Sequence, residues 1–372
     1  MKASDVPVGL HVFIGTKAQY IKTAPLLRLA DAKGVAYRLI DSGQHARLAV
    51  SLRSDLGVRE PDLRLGGSED VTSIRGAAGW AARIALKLGY ARRLREELFG
   101  GVGGVCVVHG DTPSTLLSTL LARRAGLRVA HLEAGLRSHS LLHPFPEELI
   151  RLAVMRVSQV LFAPDDTAVE NLRRMRVKGR VVRVEANTVV EALEHSLDSS
   201  AETGSGPAVV TMHRVENLTS RARVEGFLTL VERLAAEGPV RFVLHGPTEE
   251  TLRKAQATRR LRAAGVELTP LLPHREFAPL LAAARLVVTD GGSIQEECAL
   301  LGVPTLLWRD RTERPDGVGA NVVVSHYDPA TVNAFVADPQ RLRRPPAPRT
   351  ASPSEQILDV LLAELESMAA RG

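Results

Sequence analysis

Leu286-Val-Val-Thr-Asp290-Gly-Gly-Ser293-Ile-Gln-Glu-Glu297 reads as a buried strand that breaks into an acid and two glycines, then enters a helical pattern. Val105-Cys-Val-Val-His-Gly-Asp111 repeats this arrangement in the first half of the chain, again ahead of a helical pattern. Arg128-Val-Ala-His-Leu-Glu133-Ala-Gly ends a third apolar run on a carboxylate. Parallel α/β sheets bind ligands in the crevice beyond the carboxyl ends of their strands, where these polar groups would sit. Three such ends in one chain predict an α/β fold with a polar site at its strand ends.

On either side of these segments strand and helix signals alternate. Leu10–Gly15 is a strand followed by a helical run over Ile21–Ala30, and Ala36–Asp41 is a strand ending in Ser42-Gly-Gln-His45. A Gly-rich stretch around Leu65–Ile74 precedes a helix through Leu98. Helices follow at Thr115–Ala125 and from Pro146 to Gln159, with Val160-Leu-Phe-Ala-Pro164 as a further strand end. Ser199–Pro207 has linker composition. Beyond it the alternation restarts with strand Ala208–Thr211, helix Ser220–Glu237, strands Arg241–His245, Val266–Leu268 and Leu286–Thr289, helix Ile294–Leu301 and strand Thr305–Trp308. Such alternation predicts doubly wound parallel sheets. Two series joined by a linker predict two Rossmann-like domains facing across a cleft. Residues 1–198 carry the carboxylates, residues 206–353 carry the Gly-Gly-Ser loop, and residues 354–372 form a helix packing back on the first domain.

A chain of 372 residues has room for two domains, and its 45% hydrophobic and 24% charged content is that of a soluble globular protein. No apolar run approaches the roughly 20 residues of a membrane span. Met1-Lys-Ala-Ser-Asp leads into the first strand without an apolar leader, so the expected location is the cytoplasm. The net charge of +6 comes mostly from arginines on helical segments such as Ala91-Arg-Arg-Leu-Arg-Glu-Glu and Leu172-Arg-Arg-Met-Arg. With aromatics at 4% there are few stacking platforms, so nucleic acid is excluded as a partner in favour of solvated helix faces. Excess positive charge also suits an anionic diphosphate substrate. Cys106 and Cys298 fit no metal or redox spacing and read as small buried residues.

Gly15-Thr-Lys17-Ala-Gln-Tyr-Ile-Lys22 puts two lysines at the mouth of the first strand, where helix N-terminal amides favour anions. Gly291, Gly292 and Ser293 offer backbone N–H groups to a phosphate in the same way, and Glu297, one turn on, can accept both hydroxyls of a ribose. A plain N-terminal cap is the competing reading of that loop. Asp111, Glu133 and Glu147 form a set of carboxyls able to supply both a base and an acid to a carbon-bound proton. Taken singly, each could instead be a solvated acid or an ion-pair partner of Arg137 or Arg151. His213 and Arg214 follow strand Ala208–Thr211 and suit a diphosphate or a developing charge. There is no His-Glu-x-x-His or Asp-x-Asp pattern, so neither metal nor cofactor is expected.

In order along the chain, these segments resemble the non-hydrolysing UDP-N-acetylglucosamine 2-epimerases. The likeness spans about Val12–Val324 and rests on Gly-Asp-Thr at 110–112, His-x-Glu-Ala-Gly-Leu-Arg at 131–137 and Pro-Phe-Pro-Glu-Glu at 144–148. It continues with His-Arg-x-Glu-Asn at 213–217, Ile-Gln-Glu-Glu at 294–297 and Thr-Glu-Arg-Pro at 312–315. The resemblance implies a glycosyltransferase-B architecture, a UDP-sugar substrate, no cofactor and a homodimer. It also implies elimination and re-addition of UDP through a 2-acetamidoglucal. Asp111, Glu133 and Glu147 would be the acid–base groups and His213 would assist at the diphosphate. Lys17, Lys22, Arg137, Arg151, Arg214 and Arg314 would be the cationic contacts, with Gly291, Gly292 and Ser293 on phosphate and Glu297 on ribose. A hydrolysing epimerase and a glycosyltransferase of the same architecture remain alternatives. The chain departs from the family pattern at Gly-Thr-Lys-Ala-Gln (15–19), where Gly-Thr-Arg-Pro-Glu is usual, and at Asp-Gly-Gly-Ser (290–293), where Asp-Ser-Gly-Gly is usual. It departs also at Leu244-His-Gly-Pro247, Ile150 and Ala186, and the family's activator site would fall around Gln44-His45.

Overall fold

The computed structural model describes residues 8–44, 52–66, 79, 91–140, 146–197, 204–347 and 352–371. The chain divides into two compact units, Met1–Ala192 with Thr350–Gly372, and Leu193–Arg349. His45, residues 67–74, Pro144, Phe145 and part of the Ser199–Pro207 linker lie outside the described residues.

Among the described residues, the first unit is built on seven strands: β1 (Val8–Ile14), β2 (Tyr37–Asp41), β3 (Leu63–Arg64), β4 (Gly103–His109), β5 (Arg128–Leu132), β6 (Val160–Ala163) and β7 (Arg180–Arg183). All pair in parallel, in the order β3-β2-β1-β4-β5-β6-β7. The second unit holds β8 (Ala208–Val210), β9 (Val240–Leu244), β10 (Glu267–Pro270), β11 (Val287–Thr289), β12 (Thr305–Leu307) and β13 (Val322–Val324). Its sheet is also parallel, in the order β10-β9-β8-β11-β12-β13. Each sheet runs outward in both directions from its first strand, so the order reverses between β1 and β4 and between β8 and β11. The ligand crevice of a doubly wound sheet lies at that reversal.

Helices on both faces explain the unbroken apolar runs. Every residue of β4 is buried. Val105 and Val107 enter one core with Leu10, Val12 and Ile14, while Cys106 and Val108 enter the opposite core with Phe13, Leu98 and Leu121. A strand covered on both sides has no polar alternation to show. Burial pushes both thiols up, and both cysteines are free and buried.

The helix Lys17–Ala32 begins four residues ahead of the predicted run because Thr16 and Gln19 form a reciprocal capping box. The C-terminal helix Pro353–Ala369 belongs to the first unit, where Ile357, Leu358 and Leu361 join the core of Leu26 and Leu27. Glu364 receives Arg128 at 3.1 Å and Arg180 at 3.2 Å, and Glu191 accepts from Ser352 and Ser354. The helix-face arginines are answered locally. Arg92 pairs with Glu96, Arg93 with Glu97, and Arg173 and Arg174 with Glu170, each on its own helix. These are exposed i,i+3 and i,i+4 pairs. No described helix is long and apolar enough to cross a membrane.

Candidate active site

In the first unit the carboxyl ends of β4 and β5 lie side by side and turn sharply. Gly110 has φ +71°, and Glu133, immediately after β5, has φ +64°. A non-glycine residue in the left-handed region is held there against an intrinsic cost and is characteristic of functional turns. The turn folds the Glu133 side chain back over β4, where a β-carbon added at Gly110 would lie 3.7 Å from Glu133 Oε2. Glu133 Oε1 accepts from Lys22 Nζ and from Asn187 Nδ2. Lys22 and Glu133 side chains are 1% and 5% exposed, so this ion pair is withdrawn from water. Lys22, expected among the cationic contacts to a substrate, is therefore paired with Glu133. It projects inward from the buried face of its helix, which also carries Thr23 and Leu26.

Asp111, next along from Gly110, accepts from Arg151 Nη2. The Arg151 Nη1 lies 3.5 Å from Glu148 Oε2, and Glu148 also accepts from Arg137 Nε and from the Ser138 amide at 3.1 Å. Arg137 and Arg151 thus share Glu148, the second residue of the Glu147-Glu148 pair and fully buried. Glu147 is the first residue of the helix Glu147–Val157 and is half-buried, as is Lys17 at the start of its own helix. The geometry brings Lys22 to Glu133, and Arg151 to Asp111. Glu148, quoted only as part of the 144–148 motif, and Asn187 are two partners of this group that were not among the candidate site residues.

His131 on β5 is buried within electrostatic reach of both carboxylates. Its Nε2 donates to the Gly110 carbonyl at 2.8 Å, which holds the turn ahead of Asp111. Burial drives its pKa down to about 4, against the opposing pull of Asp111 and Glu133. The unfolded chain takes up this proton near pH 6.5, whereas the folded chain resists it to about pH 4. Stability from this residue is therefore complete above pH 6.5 and falls as acid is added, by about 3 kcal/mol at pH 4. Denaturant unfolding at pH 7 and pH 4.5 should show that loss in the native chain and a smaller one in His131→Gln. Equal slopes would mean that the ring is not held neutral.

In the second unit Asp290, at the end of β11, is fully buried. It accepts from the amides of His213 and Arg214, each at 3.0 Å, and from Asn217 Nδ2 at 2.9 Å. Arg214 Nε donates back to the Asp290 carbonyl at 2.9 Å. These bonds stitch the ends of β8 and β11 together and fix His213, whose Nδ1 is 3.2 Å from Asp290 Oδ1 and whose ring stacks on His245. Asp290 consequently does not cap the helix Gly292–Leu301. Its N-cap is Gly291, without a side-chain bond.

Both glycines answer to close neighbours. A β-carbon on Gly291 would come within 2.9 Å of His213 Cε1, and one on Gly292 within 2.7 Å of Arg314 Nε. His213 and Arg314 therefore lie directly over the helix N-terminus and its amides, with Ser293 in the first turn. Backbone amides at a helix N-terminus beside such groups can receive an anion. Arg314 is paired with Glu296, and Arg214 lies 3.6 Å from Glu313. Glu297 is buried, with Oε1 3.1 Å from His274 Nε2.

The sequence and fold have close counterparts. The family model described as UDP-N-acetylglucosamine 2-epimerase matches residues 27–344. A UDP-N-acetylglucosamine 2-epimerase from Methanocaldococcus jannaschii is 29% identical over 85% of this chain and 88% of its own. A relative from Ralstonia solanacearum is 32% identical over 84% of this chain and 85% of its own. The crystal structure of the M. jannaschii enzyme in complex with UDP-GlcNAc and UDP matches with a TM-score of 0.80 at 25% identity, covering 96% of this chain and 100% of that one.

Proposed function

We propose that this chain, which belongs to the UDP-N-acetylglucosamine 2-epimerase family, interconverts UDP-N-acetylglucosamine and UDP-N-acetylmannosamine. The reaction is an isomerisation. A carboxylate takes the C2 proton while the C1–O bond to UDP breaks, and the C2–H electron pair becomes the C1–C2 double bond of a 2-acetamidoglucal. UDP then adds back at C1 as C2 takes a proton on its other face.

Such a sequence needs a base and an acid at one carbon. Asp111, Glu133 and Glu147 fill these roles, supported chiefly by one observation: Asp111 leaves β4, which borders the sheet reversal, and Glu133 leaves the adjacent β5 and folds back over the Gly110 turn. Lys22 and Arg151 accompany them as fixed positive charges. UDP departs as an anion, and preorganised donors that meet developing charge are a major source of rate. His213, Arg214, Arg314 and the amides at Gly291, Gly292 and Ser293 serve the diphosphate, together with Lys17 and Arg137, and Glu297 accepts the ribose hydroxyls.

Product analysis separates this reading from its relatives. Purified protein given UDP-N-acetylglucosamine should form UDP-N-acetylmannosamine to a constant ratio, with no free sugar on the NMR timescale of the assay. Accumulating free N-acetylmannosamine and UDP would make it a hydrolysing enzyme. UDP release only on addition of an acceptor would make it a transferase.

A further inference from the structure

Glu297 is one end of a buried polar chain whose direction is set by chemistry. His274 Nε2 lies 3.1 Å from Glu297 Oε1, and His274 Nδ1 lies 2.8 Å from Ser196 Oγ. Glu297, His274 and Ser196 are 3%, 1% and 9% exposed. A carboxylate only accepts, so the imidazole must present a hydrogen from Nε2. In the neutral ring Nδ1 then has only a lone pair, and the serine hydroxyl must donate to it. Ser196 thereby selects the tautomer that His274 needs in order to hold Glu297.

The three residues come from separate elements. Ser196 ends the helix Val189–Ser196, His274 opens the helix His274–Ala283 after Pro273, and Glu297 lies on the helix Gly292–Leu301. A glutamate has three side-chain torsions, and a ribose diol can use its carboxylate only when both oxygens face the two hydroxyls. Fixing one oxygen from behind fixes the plane of the group. Supporting bonds of this kind are what keep a recognition group in productive geometry.

We infer that His274 is a positioning residue for nucleotide recognition: with its tautomer set by Ser196, it orients Glu297 towards a ribose 2′,3′-diol. The inference rests on the assignment of Glu297 to ribose. It predicts that discrimination between UDP and 2′-deoxy-UDP depends on a residue that touches neither.

Calorimetric binding of UDP and of 2′-deoxy-UDP tests it in the full-length protein. The native chain should prefer UDP. His274→Phe, which keeps ring volume and removes both nitrogens, should weaken UDP by about tenfold or more, the scale of a lost bond to a charged group, and leave 2′-deoxy-UDP much less affected. His274→Gln, whose amide can donate to Glu297, should restore part of the preference, and it stands in should the phenylalanine variant not fold. A general packing role would weaken both nucleotides equally and leave the ratio unchanged, which would overturn the inference. Glu297→Gln is the reference. If it abolishes the preference while both His274 variants keep it, the inference fails alone. If Glu297→Gln also keeps the preference, the ribose assignment fails with it.

Discussion

Asp111→Asn is expected to lower epimerisation by about 10²–10⁴-fold, the range for removing an acid–base group, while UDP binding stays within about twofold, a change worth less than 0.5 kcal/mol. The separation follows from where the residue stands. Asp111 belongs to the first unit, at the turn after β4, and the groups assigned to UDP are mostly in the second. Asparagine preserves size and an acceptor for Arg151. Arg151 also keeps its contact with Glu148 at 3.5 Å, so its charge is not stranded by the change. Asp111 is 18% exposed, and water can compensate part of what is lost. Initial rates with UDP-N-acetylglucosamine, paired with calorimetric UDP titration and a denaturant curve, measure all three quantities. Near-native turnover in a folded variant would remove Asp111 from the chemistry. A parallel loss of UDP affinity would instead make it a binding group.

Lys22→Met should have the largest effect on stability, a loss of about 3–5 kcal/mol, because removing one partner of a buried pair leaves the other charge uncompensated. Glu133 is 5% exposed and retains Asn187 as a donor, but a neutral amide does not replace an ammonium. Replacing both partners should behave differently. Lys22→Met with Glu133→Gln removes both charges and keeps an acceptor for Asn187, so most of the lost stability should return while activity stays absent. Denaturant midpoints of the single and double variants form the necessary cycle. If Lys22→Met is as stable as the native chain, Glu133 is not held by a desolvated cation, and the placement of this pair is wrong.

The strand-end chemistry was visible because parallel strands covered on both faces lose their alternation. Val105–Val108 is unbroken apolar sequence for that reason, and the change to His-Gly-Asp marks where the cover stops. The edge strand β7 was missed. Its Arg-Val-Val-Arg sequence is exposed at both ends and lacks the apolar run of a central strand. Helix Asp166–Arg174 was legible only at its Leu172-Arg-Arg end, because its inward stripe is short (Ala168, Asn171 and Leu172) and the rest is polar, although Asp165 caps it. Helix Pro329–Ala337 did carry its signal, an Asp328 cap followed by proline at the first position.

The candidate residues were legible singly, and the Arg151 pairing of Asp111 stood among the alternatives, but the Lys22–Glu133 pair was not legible. Lys22 and Glu133 are 111 positions apart, and Asp111 and Arg151 are 40 apart. Only the strand order β1-β4-β5 brings them together. Near a helix start Lys22 reads as a cationic contact for an anion, but it lies on the buried face of that helix. His274 was passed over for a related reason. A lone histidine is usually structural, and nothing local links it to Glu297 or to Ser196.

The proposed reaction has these carboxylates act on the hydrogen at C2 of the sugar, so heavy water is the most direct probe. UDP-N-acetylglucosamine incubated with the protein in deuterium oxide should gain deuterium at C2 in both epimers, followed by NMR, with Asp111→Asn showing none over the same time. Formation of the manno epimer with its original C2 hydrogen retained would contradict proton transfer by Asp111, Glu133 and Glu147.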